Sequence, residues 1–114
     1  GTWSEGSAAT VEIPVGTGRP TSVQVEAKVL LSSTHPKQDV DVLVNGIPAI
    51  KVRLTAESKG RFEVPIPQEA IENAQADQPI TLEFRFPDAA RPRDIGLGED
   101  SRKLAIGLVA LTLR

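Results

Sequence analysis

The chain has 114 residues, ordinary length for one domain, of which 39% are apolar and 25% charged, a balance that excludes a disordered polar tract. Thirteen basic and fifteen acidic residues leave a formal charge of −2, so the basic surplus that non-specific nucleic-acid binding needs is missing. Cysteine is absent, which excludes a disulfide framework and thiolate metal sites, and no run of about 18 apolar residues is present to span a bilayer.

Period-two alternation runs through most of the chain and places apolar side chains on one face of a pleated strand. In chain order, Val11, Ile13 and Val15 share a phase, then Val23, Val25, Ala27, Val29 and Leu31, then Val40, Val42 and Val44. Ile50, Val52 and Leu54 follow, then Phe62, Val64 and Ile66, then Ile80, Leu82, Phe84 and Phe86. These six strands have one dry face and one wet face, as in an antiparallel sandwich. The last strand differs: Leu104, Ile106 and Leu108 hold one phase, and Val109, Leu111 and Leu113 the other. Either a β-bulge, for which Gly107 is placed, or burial on both faces explains the slip.

Asn45-Gly46 predicts a two-residue hairpin turn, because both positions tolerate positive φ. Residues 16–20 and 32–37 read as turns, and residues 67–74 as one or two helical turns led by a proline. Pro87 to Lys103 is the longest connection, and such loops are often where function sits. The reading is an all-β chain: an antiparallel β-sandwich of jelly-roll, galactose-binding-like type, with seven to eight strands and one short helical segment. It forms a single domain over residues 1–114, expected to be cut from a longer membrane-associated protein.

Residues able to carry chemistry are few. Ser32, His35 and Asp39 hold the three residue types of a hydrolase triad, yet they lie within eight residues on one loop with no nucleophile elbow, and a solvated turn histidine is preferred. Gly16-Thr17-Gly18 lacks the third glycine and following helix of a phosphate-binding turn. Asp39, Asp41, Asp88, Asp94, Glu99 and Asp100 are weighed as oxygen ligands for a loop-held calcium and as solvated acids, and the acids are preferred, with no cofactor expected. Arg91, Arg93, Arg102 and Lys103 either receive an anionic sugar or phosphate or pair with acids of the same loop. Trp3, the single tryptophan, either stacks on a sugar ring or plugs one end of the sandwich.

The segment Arg91-Pro92-Arg93-Asp94-Ile95-Gly96-Leu97-Gly98-Glu99-Asp100-Ser101-Arg102-Lys103-Leu104-Ala105-Ile106-Gly107-Leu108 resembles the closing segment of a β-sandwich domain appended to bacterial membrane-bound phosphoglycerol transferases and sugar transferases. Asp100, Arg102, Leu104 and Ile106 match that family's pattern, Ala105 stands where glycine is usual, and Arg91-Pro92 replaces a common Ser-Pro. The opening Trp3-Ser4-Glu5-Gly6 and the hairpin Val44-Asn45-Gly46 resemble the family as well. The resemblance implies an extracytoplasmic, periplasmic accessory domain beside a transferase that acts on cell-envelope glycans, with the parent transferase and an envelope glycan as partners. Asp100 and Arg102 either tie the first and last segments together or contact ligand. The expectation is a non-catalytic module with a ligand site at Trp3, Arg91, Arg93, Asp100 and Arg102; its rival is a purely structural or protein-interaction sandwich without a small-molecule ligand.

Overall fold

A computed structural model describes residues 3–14, 20–72, 78–90, 92–95 and 104–114, with the side chains of Trp3, Glu5, Glu72, Pro92 and Arg93 outside the described set. Eight strands are β1 (Trp3–Glu5), β2 (Ala8–Ile13), β3 (Ser22–Val29), β4 (Gln38–Val44), β5 (Ile47–Leu54), β6 (Arg61–Pro65), β7 (Ile80–Arg85) and β8 (Leu104–Leu113). One short helix, α1 (Gln68–Glu72), sits where the proline-led segment predicts it, and 3-10 turns cover Ala56–Ser58 and Pro92–Ile95.

The strands form two four-stranded antiparallel sheets, β1-β8-β3-β6 and β2-β7-β4-β5. The pairing is nested: β1 lies on β8, β2 on β7, β3 on β6 and β4 on β5. That order is a jelly roll, a hairpin of four strand pairs folded over on itself. The core lies between the sheets. Val23, Val25, Val64 and Ile106 come from one sheet; Val40, Val42, Val44, Leu54, Leu82 and Phe84 come from the other, and all are buried. Phe84 and Phe86 contribute the largest buried side chains, with ring centroids 6.4 Å apart.

The predicted alternation matches the burial of β2, β4, β6 and β7. Three details differ from expectation. The first predicted strand starts at Ala8 and ends at Ile13, so Pro14 falls past it and Val15 lies outside the described residues. Strand β3 stops at Val29, and the next residue, Leu30, is the buried one while Leu31 is half-buried. The bulge in β8 is at Val109 and leaves Gly107 in regular register: Glu26 pairs with Ala110 and Ala27 with Leu108, so Val109 has no partner on β3 and is 53% exposed. Gly107 faces Lys28 on one side and Trp3 on the other. Both readings of the last strand hold, each for one half. Leu104 to Gly107 are buried without alternation, between β1 and β3; Leu111 and Leu113 alternate with exposed neighbours.

Candidate functional site

Of the segments singled out by the sequence, the described parts, strand β1 and the turn Pro92–Ile95, lie at one end of the sandwich, where the start of β8 meets β1 and the Ser32–His35 turn. The Ser32–His35 turn closes on itself through two backbone hydrogen bonds, of 2.9 and 3.0 Å. Its Thr34 hydroxyl donates to the Ile95 carbonyl of the 3-10 turn at 3.4 Å. Ala90 and Leu104 exchange backbone hydrogen bonds of 2.8 and 2.7 Å, which pins the loop after β7 to the start of β8. Ser4 Oγ accepts the Ile106 N–H at 3.1 Å. The two motif segments, about a hundred residues apart in the chain, therefore lie side by side and share a side-chain hydrogen bond.

Trp3 is placed by its backbone on β1 opposite Gly107, and Arg93 within the 3-10 turn Pro92–Ile95. Arg91, Asp100, Arg102 and Lys103 lie outside the described residues, as do Glu99 and the Gly16–Gly18 turn. The tie between first and last segments, expected of Asp100 and Arg102, is made among the described residues by Ser4 and by the β1–β8 ladder.

Ser32, His35 and Asp39 do not form a triad. The Ser32 hydroxyl meets Thr34 Oγ1 at 3.2 Å, His35 Nε2 meets Gln38 Nε2 at 3.3 Å, and Asp39 is taken up by cations. Sequence reasoning missed Gln38, fully buried at the start of β4, whose amide donates to the Leu30 carbonyl at 3.3 Å. The signal was available: Gln38 shares the inward phase of Val40, Val42 and Val44, and a polar residue there needs a partner.

An ionic cluster sits beside it. Asp88 Oδ2 accepts from Lys37 Nζ at 3.0 Å and from the Asp39 N–H at 2.8 Å. Lys37 also reaches Asp39 at 3.1 Å, and Arg53 Nε donates to Asp39 at 2.9 Å. Hydrogen bonds from Arg53 and then Lys37 hold the Asp39 carboxyl below its ordinary range, while those to Asp88 and then Asp39 raise the Lys37 ammonium. Both Asp39 oxygens and Asp88 Oδ2 are taken by cations and a backbone amide, so these atoms serve the ionic cluster. Among the described residues no group of three or more His, Asp or Glu side chains is arranged to hold a metal. The cluster fastens the loop after β7 to the β4–β5 hairpin. No family model, curated protein or solved structure matches the chain.

Proposed function

We propose that this jelly roll is a non-catalytic accessory module of a cell-envelope phosphoglycerol or glycosyl transferase, binding or positioning a glycan on the periplasmic side of a bacterial membrane. One observation carries the reading. The two segments that resemble the accessory domain, Trp3–Gly6 and the run ending at Leu108, meet as neighbouring strands through the Trp3–Gly107 and Glu5–Leu104 pairs and the Ser4–Ile106 hydrogen bond. The nested order pairs the first strand with the last, so the two segments share one end of the sandwich and can present one surface. The long loop between β7 and β8 begins and ends at that place, held at Ala90 and Leu104. Loops on a rigid sandwich are where binding residues concentrate. Trp3, Arg91, Arg93, Asp100 and Arg102 are the residues proposed to meet the ligand there, an aromatic face for stacking and charged groups for orientation.

Native electrophoresis through gels containing envelope oligosaccharides tests the proposal. Retarded migration, relieved by Trp3→Ala together with Arg93→Gln, is expected. Unchanged mobility across neutral and phosphoglycerol-bearing glycans favours the structural, protein-interaction reading.

A further inference from the structure

A second surface lies on the other sheet, on the outer face of β7, β4 and β5. Outward residues there stand in cross-strand rows, Arg85 beside Asp41 beside Lys51, and Glu83 beside Leu43 beside Pro48. The β4–β5 ladder slips between Val42 and Leu43, so that Ala49 is an extra residue on β5. Two small, short side chains, Pro48 and Ala49, therefore occupy the stretch where long side chains would otherwise cover Leu43. The result is an open groove of about 380 Å³ with Leu43, Pro48 and Ala49 as apolar floor and Asp41, Lys51 and Arg85 as polar wall.

The polar wall is underused. Asp41 faces Lys51 on one neighbouring strand and Arg85 on the other, yet among the described residues neither Asp41 nor Lys51 has an ion pair or side-chain hydrogen bond. Arg85 uses its Nε on Glu83 and keeps its remaining guanidinium donors. Nearby Asp39, on the same strand and face, is fully engaged by Lys37 and Arg53. The free set thus comprises an acceptor-only carboxylate between an ammonium and a guanidinium, above an apolar strip.

We infer that the groove binds a phosphorylated sugar or polyol. Ligand hydroxyls donate to the Asp41 carboxylate, the phosphate accepts from Lys51 and Arg85, and the apolar face of the ligand rests on Leu43 and Pro48. A bare phosphate is repelled by Asp41, and a neutral sugar leaves both cations to water. Only a ligand carrying hydroxyls and an anion uses the whole wall. The site is on the opposite sheet from β1 and β8, so it stands or falls separately from the glycan reading above.

Amide-resolved NMR titration with glucose 6-phosphate tests it, with glucose and inorganic phosphate run alongside. Saturable shifts are expected at Leu43, Ala49, Ile50 and Lys51, with Kd raised about tenfold or more in both Lys51→Gln and Asp41→Asn. Arg61→Gln, on the other sheet, should leave Kd unchanged. Glucose and inorganic phosphate should each bind at least about tenfold more weakly than the sugar phosphate. Because Lys51 is exposed, Lys51→Gln leaves the fold intact and carries the test even if Asp41→Asn perturbs it. No saturable shift, shifts mapping to other residues, or an unchanged Kd in Lys51→Gln overturns the proposal. So does inorganic phosphate matching the sugar phosphate, or tighter binding by Asp41→Asn, since either means that an anion alone is held.

Discussion

At single positions, backbone geometry decides more than side-chain chemistry. Gly60 has φ +70°, and a Cβ built on it would lie 1.8 Å from the Ala27 carbonyl oxygen, whose own amide donates to Gly60 O at 2.8 Å. Gly60→Ala therefore forces β3 and β6 apart at their shared end. A loss of about 2–5 kcal/mol is expected, the sum of left-handed strain and overpacking, measured by denaturant unfolding. Asn45 (φ 50°) and Gly46 (φ 82°) form the predicted hairpin turn, and Asn45 does a second job. Its side chain donates to the Ala70 carbonyl at 3.0 Å and accepts the Thr81 N–H at 2.9 Å, joining the hairpin tip to α1 and β7. Asn45→Gly keeps the turn and loses those bonds, at a cost of about 1–2 kcal/mol, and Asn45→Ala adds the left-handed penalty of about 1 kcal/mol more. The Asn-Gly turn was legible in the sequence; the contacts to Ala70 and Thr81 were not, since they join segments 25 and 36 residues away. For Asp39 the folded state holds the carboxyl below its ordinary value. Its stabilisation is present above the unfolded carboxyl range near pH 4 and is lost as pH falls through the lowered folded value. Stability against pH, compared with Asp39→Asn, should show the wild-type advantage shrinking below about pH 4.

At the scale of strands, the phase of the apolar residues was readable and their interruptions were only half so. The slip in β8 announced a bulge, but glycine was the wrong marker for it. The extra residue is Val109, and a β-branched side chain is comfortable there because it points to solvent. Deleting Val109 makes Leu108 and Ala110 successive residues opposite Ala27 and Glu26, so the ladder becomes regular and Leu111 and Leu113 keep their partners Val25 and Val23 on β3. The shortened chain should still fold, with a loss measured by denaturant unfolding inside the ordinary single-site range of about 0.5–3 kcal/mol, and Val109→Thr should stay within about 0.5 kcal/mol of wild type. Strand β1 escaped notice because three residues, Trp-Ser-Glu, are too few to show alternation. It exists by tertiary pairing with β8 and by the Ser4 hydroxyl, neither of which leaves a local signature. On β5, an edge strand, Pro48 and the bulge at Ala49 interrupt the ladder, and exposed Lys51 and Arg53 add charge. These are the usual guards against edge-to-edge pairing, and the same bulge opens the groove.

At the scale of the molecule, period two says which face is buried and nothing about which strands are neighbours. The all-β class followed from six alternating runs; the nested order β1-β8-β3-β6 and β2-β7-β4-β5 rests on pairings between distant segments. The candidate end of the sandwich was legible to the same partial degree. Its motifs lie at the two ends of the chain, and the meeting of β1 with the start of β8 appeared only when the first and last strands paired. Its hydrogen-bonded frame of Ser4, Thr34, Gln38 and Asp88 was invisible, because each of these side chains acts through a partner supplied by another segment. With the first and last strands paired in a nested topology, folding depends on contacts of long sequence separation and should be slow for the chain length. The central claim, that this jelly roll is a glycan-binding accessory module, meets its most direct test in an amide-resolved titration of the chain with envelope oligosaccharides and glycerol phosphate, with and without calcium. Saturable shifts at Trp3, Ser4 and the segment from Ala90 to Leu104 are the predicted result. A spectrum unchanged across the panel contradicts the claim.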